Sequence, residues 1–297
     1  MFDFRDIELT DKLWIDELLA KSDFMGCEYS FANNVAWRRL SDSVISRYKD
    51  FYLISTQDDD NIYLTYPGGE GDILELINTF YKYCNDLGKG FVLSSVTTQN
   101  LEFLKENLID KIDNIKSNPD YFDYIYNAED LINLRGKKYH SKRNHISNFK
   151  KQPWEYKELT PDLFDDCIKF VTETYNKKSD TDDFSAVVEQ FAINTFFNNF
   201  EYMNLKGGVL FQNDKIVGVT IGEQLNSNTL VVHIEKAASD VNGAYPTICN
   251  EFAKANAFDL KYINREEDLG IEGLRKSKRS YHPCFQLEKH AVIFKRN

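Results

Sequence analysis

Long hydrophobic runs, proline and paired cysteines are what this chain of 297 residues has least of. No stretch approaches about 18 apolar residues, so a membrane-spanning helix is excluded. The N-terminal MFDFRDIELTDKLW mixes acids among its apolar residues and lacks the charged-then-apolar order of a secretory signal. The five cysteines, Cys27, Cys84, Cys167, Cys249 and Cys284, are odd in number and contain no CxxC spacing. That pattern excludes a disulfide framework and a cysteine zinc site, and it predicts reduced thiols in a cytoplasmic protein. None of the five histidines has metal-ligand spacing to another histidine or to a cysteine, so no metal is expected. Positive charge is also scarce: 36 Lys and Arg face 47 Asp and Glu, for a net charge of -11. General attraction to nucleic acid or to an anionic membrane is not expected of such a surface.

Acids are in turn absent from one place. Between Asp130 and Glu155 there is none, and Arg135, Lys137, Lys138, Lys142, Arg143, Lys150 and Lys151 fill the gap. A local positive block in an acidic chain implies an anionic partner at one place. On a helix, Lys138, Lys142, Ile146 and Phe149 share a stripe, so the apolar pair is buried and the lysines need an anion. That anion is either a ligand phosphate or carboxylates of the protein itself, the latter making the block a solvated, salt-bridged helix.

What is plentiful is apolar and aromatic side chain, with 42% hydrophobic residues, Tyr 17 and Phe 22, enough for two domains or one large one. The order of elements repeats. A helix is predicted over 11–22, with Leu13, Trp14, Leu18 and Leu19 as its apolar face and Thr10 or Asp11 as N-cap. A hairpin FYLIST–QDDDN–IYLTYP follows, then a helix over 72–88 between Asp72 and Gly88, and strands at FVLSSV and YFDYIY around a short helix at 100–108. The second half runs a helix over 161–178, a second over 183–200, a hairpin GGVLFQ–NDK–IVGVTIGEQL, a strand TLVVHIEKA and a helix over 244–257. A strand near KYIN, a helix EGLRKSKRSY and strands at CFQLEK and AVIFK close it. Hairpins with interspersed helices predict an α+β fold with mixed sheets and an internal duplication. The expected boundaries are 1–134, a basic connecting helix 135–151, and 152–297.

Two motifs and a third segment carry a resemblance. LRGKKYHSKRNHISNF and INREEDLGIEGLRKSKRSYHP, with YSFANNVAWRR near the N-terminus, resemble the C-terminal domain of phosphatidylglycerol lysyltransferases and its stand-alone relatives. The resemblance covers nearly the whole chain. It implies two tandem GNAT-like domains, a fold shared with Fem-type transferases, and transfer of an aminoacyl group from aminoacyl-tRNA. Membrane-anchored members act on a lipid head group after a large membrane-embedded region, which this sequence does not show.

The candidate site residues follow. Arg265, Glu267 and Asp268 fall at a predicted strand end, where carboxylates would hold the α-amino group of an aminoacyl donor. Arg275, Lys278 and Arg279 share faces of the next helix, either as an exposed basic surface or, with Lys138, Lys142 and Arg143, as the surface that holds a tRNA 3′ end. His233 lies in TLVVHIEKA and has a side chain that titrates near neutrality. It is either a general base, with Glu267 and Asp268 as the other catalytic candidates, or a satisfied residue of an apolar strand. The loop AASDVNGAYP stands where CoA-dependent GNAT enzymes bind pyrophosphate. Asp240 has the wrong sign, Tyr245 crowds the approach and Pro246 lacks an N–H, so acetyl-CoA is disfavoured. No activated nucleophile is apparent. The expected function is aminoacyl transfer from aminoacyl-tRNA to an amine or hydroxyl. The alternatives are an acyl-CoA-dependent N-acyltransferase of a small metabolite and a non-catalytic anion-binding module.

Overall fold

A computed structural model describes residues 2–176 and 183–296. The first half opens with helices α1 (Lys12–Ser22) and α2 (Phe31–Ser41), then strands β1 (Val44–Tyr48), β2 (Phe51–Gln57), β3 (Asn61–Thr65) and β4 (Gly68–Gly69). Helix α3 (Ile73–Asp86), strand β5 (Gly90–Thr97), helix α4 (Thr98–Leu108) and strand β6 (Ile112–Ser117) complete it. Strand β7 (Asp123–Asn127), helix α5 (Ala128–Asn133) and the basic helix α6 (His140–Phe149) lead into the second half. There follow β8 (Trp154–Glu158), α7 (Phe164–Asn176), α8 (Asp183–Asn198), β9 (Lys206–Gln212), β10 (Lys215–Gln224) and β11 (Thr229–Ala237). Helix α9 (Ala244–Asn256), β12 (Tyr262–Asn264), α10 (Glu272–Arg279), β13 (Phe285–Leu287) and β14 (Lys289–Phe294) end the chain. The expected end of the helix at 177–178 lies outside the described residues.

Local chemistry explains these elements where the sequence pattern is strong. Asp72 caps α3 by accepting from the Glu75 amide at 2.9 Å, and Leu76, Ile77, Phe80, Tyr81 and Cys84 form one buried stripe. Gly88 follows with φ +70°, as a helix stop requires. In α1 the expected face is rotated. Ile15 and Leu18 are buried, while Leu13 is 83% exposed. Asp11 stands at the N-cap but makes no cap bond, its carboxylate accepting from Arg5, Trp14 and the Glu8 amide instead.

Two seven-stranded mixed sheets result. The first runs β1-β2-β3-β5-β14-β6, with β4 on β2, and the second runs β13-β7-β12-β11-β10-β9-β8. Each has one parallel pair bridged by a helix, β3 with β5 through α3 and β11 with β12 through α9.

The sheets do not divide at the basic segment. β7, from the first half, fills the gap between β12 and β13, and β14, from the chain's end, fills the gap between β5 and β6. Both inserted strands are antiparallel to both neighbours. The expected boundary at 134 therefore gives each half one strand that belongs to the other sheet. Packing also crosses the halves, since one core joins Phe31, Val35 and Ile45 to Phe196, Val219 and Ile234. Among the described residues no helix is long and apolar enough to cross a membrane.

Candidate functional site

The two halves enclose a cavity of about 920 Å³. Its floor crosses the first sheet through Thr56, Thr65, Ser94, Ser95 and Ser117. Its other wall is α8, the second half of β11, and the loop after β12. Past Val231 the strands β11 and β12 no longer pair, and the cavity lies where they part.

Two bulges shape the walls. In β11, His233 is the extra residue, since Ile221 pairs with Ile234 but Gly222 pairs with Val232. Gly222 permits this close approach, because a Cβ there would lie 2.1 Å from the Val231 carbonyl oxygen. In β5 the register shifts opposite His290 and Val292, and Ser95 takes φ +54°. Glu266, just after β12, also has a left-handed backbone at φ +57°. Both residues hold a sparsely populated backbone conformation that the surrounding packing must maintain.

The bulged His233 has a 0% exposed side chain, stacked on Phe196 at 5.1 Å between ring centres. Nδ1 contacts the Glu266 carboxylate at 2.9 Å and Nε2 the Glu223 carboxylate at 3.1 Å. Burial favours the neutral ring, but the hydrogen bonds to Glu223 and Glu266 outweigh it and raise the pKa to about 9. Near neutrality the ring is a cation donating from both nitrogens. A general base needs a free lone pair, which this ring lacks. The geometry makes His233 the group that holds Glu266, whose carboxylate also meets Asn33 Nδ2 at 3.4 Å. Glu223 is held in turn by the Ser30 hydroxyl, which also caps α2.

Beside this pair is a polar cluster built from four segments. Lys289 on β14 donates to Asp123 on β7 at 2.7 Å and pairs with Glu28 at 2.6 Å. Asp123 accepts from the Cys27 amide and from Asn264 Nδ2, at 2.9 and 2.8 Å. Burial opposes its charge, yet Lys289 keeps Asp123 ionised, its pKa below the usual range. Burial and then Asp123 push the Cys27 thiol well up, so it stays protonated and faces Glu267 at 3.3 Å. Cys27, Asp123 and Glu267 lie within 4.8 Å of one another, a spacing open to a metal. Lys289 already supplies positive charge there, and a metal ligand would need the thiolate. Glu267 is pushed up to about 7 by burial and by the neighbouring Asp123. Of the carboxylates lining the cavity, Glu28, Glu189, Glu235 and Glu266 each meet a cationic side chain, and Glu267 meets none among the described residues.

The structure separates the residues picked out from sequence. His233, Arg265, Glu267 and Lys278 line the cavity. Arg265 pairs with Glu235 at 2.5 Å and lies 4.7 Å from the Tyr281 ring. Lys278 donates to the carbonyls of Arg265 and Glu267, at 2.5 Å each, and so fixes the strand end rather than offering a charge to an anion. Asp268 is fully buried. It accepts from Arg275 through both oxygens, from the Tyr124 hydroxyl at 2.7 Å and from the Gly270 amide at 2.9 Å. These bonds, led by Arg275, hold its carboxyl well below the carboxylate range, so Asp268 is a structural clamp without a free lone pair for substrate. Arg275 also binds Asp120, and Arg279 is exposed on α10.

The basic helix α6 buries Ile146 and Phe149 as expected but does not line the cavity. Lys138 pairs with Asp130 at 3.2 Å, and Arg143 donates to the carbonyls of Leu134 and Gly136. Lys142 donates to Ser280 Oγ at 2.7 Å and stands 3.5 Å from the Tyr281 ring centre, and burial lowers its pKa to about 8. Much of the positive block is thus met by acceptors of the protein itself. α6 lies across the start of α9. A Cβ on Gly243, which has φ +87°, would be 2.3 Å from the His145 carbonyl oxygen, and His145 Nδ1 meets Asn242 Oδ1 at 2.9 Å. The helix start where a CoA pyrophosphate would be expected is therefore covered by the protein's own backbone.

Asn33, Glu223, Glu266, Lys289 and Asp123 escaped the sequence reading. Asp123 did leave a signal, because an acid in the apolar strand YFDYIY needs a buried partner. Glu266 stood beside the residues chosen. Lys289 and Glu223 carry no local signal.

The profile of the family described as "Phosphatidylglycerol lysyltransferase, C-terminal" matches residues 19–292. A conserved protein of unknown function from Bacteroides thetaiotaomicron VPI-5482 is 35% identical, with TM-score 0.92, over 99% of this chain and all of that one. L-PGS from Bacillus licheniformis superposes with TM-score 0.65 at 11% identity, over 95% of this chain and 91% of its own. FemX superposes with TM-score 0.60 at 9% identity, over 97% and 96%. The last two likenesses show the fold, an α+β tandem GNAT-like architecture with two mixed sheets.

Proposed function

The chain belongs to the phosphatidylglycerol lysyltransferase C-terminal family, and we propose that it transfers an aminoacyl group from aminoacyl-tRNA to an amine or hydroxyl acceptor inside the cavity between its halves. The observation that carries this reading is the pair of adjacent carboxylates on the cavity wall, set to different tasks. Glu266 is backed by the charged His233 ring at 2.9 Å and is the carboxylate partner for an α-ammonium. Glu267, with its pKa pushed up to about 7, is poised to take a proton near neutrality. An aminoacyl ester has such an ammonium, and a simple acyl thioester does not.

In the step proposed, the acceptor oxygen or nitrogen attacks the ester carbonyl while Glu267 takes its proton. The tetrahedral adduct then collapses, the bond to the ribose oxygen breaks, and Glu267 returns the proton to that oxygen. The protein's contribution is placement and proton handling, without a covalent enzyme intermediate. The cover of α6 over the start of α9 speaks against acyl-CoA as donor.

Filter binding of charged and deacylated tRNA, with CoA as competitor, tests the reading. The expected result is preference for the charged form, unaffected by CoA. Glu266→Gln should remove most of that preference, roughly tenfold or more for a lost charge-assisted bond. Glu267→Gln should keep the preference and lose turnover. Equal binding of both forms, or displacement by CoA, would refute the reading.

A further inference from the structure

The cavity has a mouth whose composition differs from the rest of this acidic chain. Tyr121, on the link between β6 and β7, lines it and is 57% exposed. Leu269 and Leu274 line it as well, at 55% and 37% exposed. They belong to one surface, because the Leu269 amide donates to the Asp120 carbonyl at 2.9 Å and Arg275 ties α10 to Asp120 at 2.5 Å. Three exposed apolar side chains that share one cavity rim form a patch suited to covering by a ligand.

Exposed lysines stand at and near the mouth. Lys116, on β6 five residues before Tyr121, lines the cavity, is exposed and makes no ion pair among the described residues. Lys276 on α10 is likewise exposed without an ion pair among them. Of the acids nearby, Asp120 is held by Arg275, Asp268 by Arg275 and Tyr124, and Glu272 is exposed in the first turn of α10. An exposed aromatic ring on the same cavity rim as an exposed lysine can receive a single-stranded nucleotide, the base stacking on the ring and the phosphate meeting the ammonium.

Resting on the aminoacyl-tRNA reading, we infer that the mouth formed by Tyr121, Leu269 and Leu274 takes the terminal base of the RNA donor, with Lys116 on its phosphate. This moves the RNA end from α6, where the basic block suggested it, to the β6–β7 link and α10. The ester then extends inward toward Glu266 and Glu267.

The test is anisotropy binding of a fluorescent CCA trinucleotide carrying a non-hydrolysable 3′-aminoacyl amide. Tyr121→Ala should weaken it roughly ten- to a hundredfold, the usual effect of one lost base stack, and Tyr121→Phe should leave it intact. Lys116→Ala should weaken it less and reduce the salt slope by about 1. Unchanged trinucleotide affinity in folded Tyr121→Ala overturns the inference, and if full-length charged tRNA still binds, the donor assignment stands without it. Failure of both RNAs to bind overturns both. Binding to phosphatidylglycerol vesicles that Tyr121→Ala abolishes, with RNA binding untouched, assigns the mouth to a membrane surface and also overturns the inference.

Discussion

The charge on His233 can be measured directly, and much of the site reading depends on it. Its imidazole is enclosed, with a carboxylate on each nitrogen, and its pKa is raised to about 9. In an unfolded chain a histidine titrates near 6.5. The folded state therefore binds this proton more tightly. The resulting stability is fully present below about pH 6.5 and is lost as pH rises toward 9. The gap corresponds to about 3 kcal/mol, a large part of the stability of an ordinary domain. Urea unfolding at pH 6.5 and pH 9 should show the loss, and long-range ¹H–¹⁵N spectra should show a ring with both nitrogens protonated at pH 7.5. His233→Gln identifies the signal among five histidines and should flatten the pH dependence. Glu223→Gln should lower the ring's pKa, because it removes one of the two carboxylates that raise it. Glu267 contributes a separate, lower window. Its folded pKa of about 7 also exceeds the unfolded value, so its contribution falls between about pH 4.5 and 7 and disappears in Glu267→Gln. A neutral His233 tautomer at pH 7.5, or equal stability at pH 6.5 and 9, would refute the clamp and return the ring to the list of candidate bases.

Two further changes probe the frame around the site. Lys289→Met leaves Asp123, which is 0% exposed, without its counter-ion and should cost about 3–5 kcal/mol in urea unfolding. Adding Asp123→Asn should recover part of the loss, and a cost below about 1 kcal/mol would show that the pair is not stabilising the charge. Gly243→Ala forces a Cβ against the His145 carbonyl at a φ that alanine disfavours, so it should cost about 1–3 kcal/mol. It should also speed amide exchange in α6, and unaltered exchange there would mean that α6 does not seal the start of α9.

Much of the fold was legible in the sequence because local signals agreed with it. The hairpin of β2 and β3, the Asp72 cap, the hairpin of β9 and β10, and the buried pair Ile146 and Phe149 all came from period and turn chemistry. What the sequence hid is what depends on distant partners. YFDYIY reads as a strand, but nothing local says that it pairs with β12 and β13. VISRY, the β1 strand, is short and its edge role is fixed by β2. At the site, residue type pointed to the right loop but not to the right roles. Asp268 looked catalytic and is used up by Arg275, while Glu266 was passed over and faces His233. The basic block looked like a ligand surface because its acceptors, Asp130, Ser280 and the carbonyls of Leu134 and Gly136, are ordinary groups that no motif marks.

The exchange of strands also explains why the polar cluster stands where it does. Asp123 is the first residue of β7, which belongs by sequence to the first half and by pairing to the second sheet. Lys289 is the first residue of β14, which does the reverse. Their ion pair at 2.7 Å thus joins the two exchanged strands at the point where they enter each other's sheet. A buried pair of this kind contributes little net stability against an apolar equivalent, so its value lies in registry. If either strand slipped by one residue, its entire face would invert, Lys289 and Asp123 would part, and each would be left as an unpaired buried charge. The pair therefore disfavours mispairing of the two halves. The same contact sets Glu267 against Asp123, which is one cause of its raised pKa. The device that fixes the joining of the halves is also one that tunes the carboxylate proposed to carry the proton, so disruption of the exchange should remove activity before it removes the sheets.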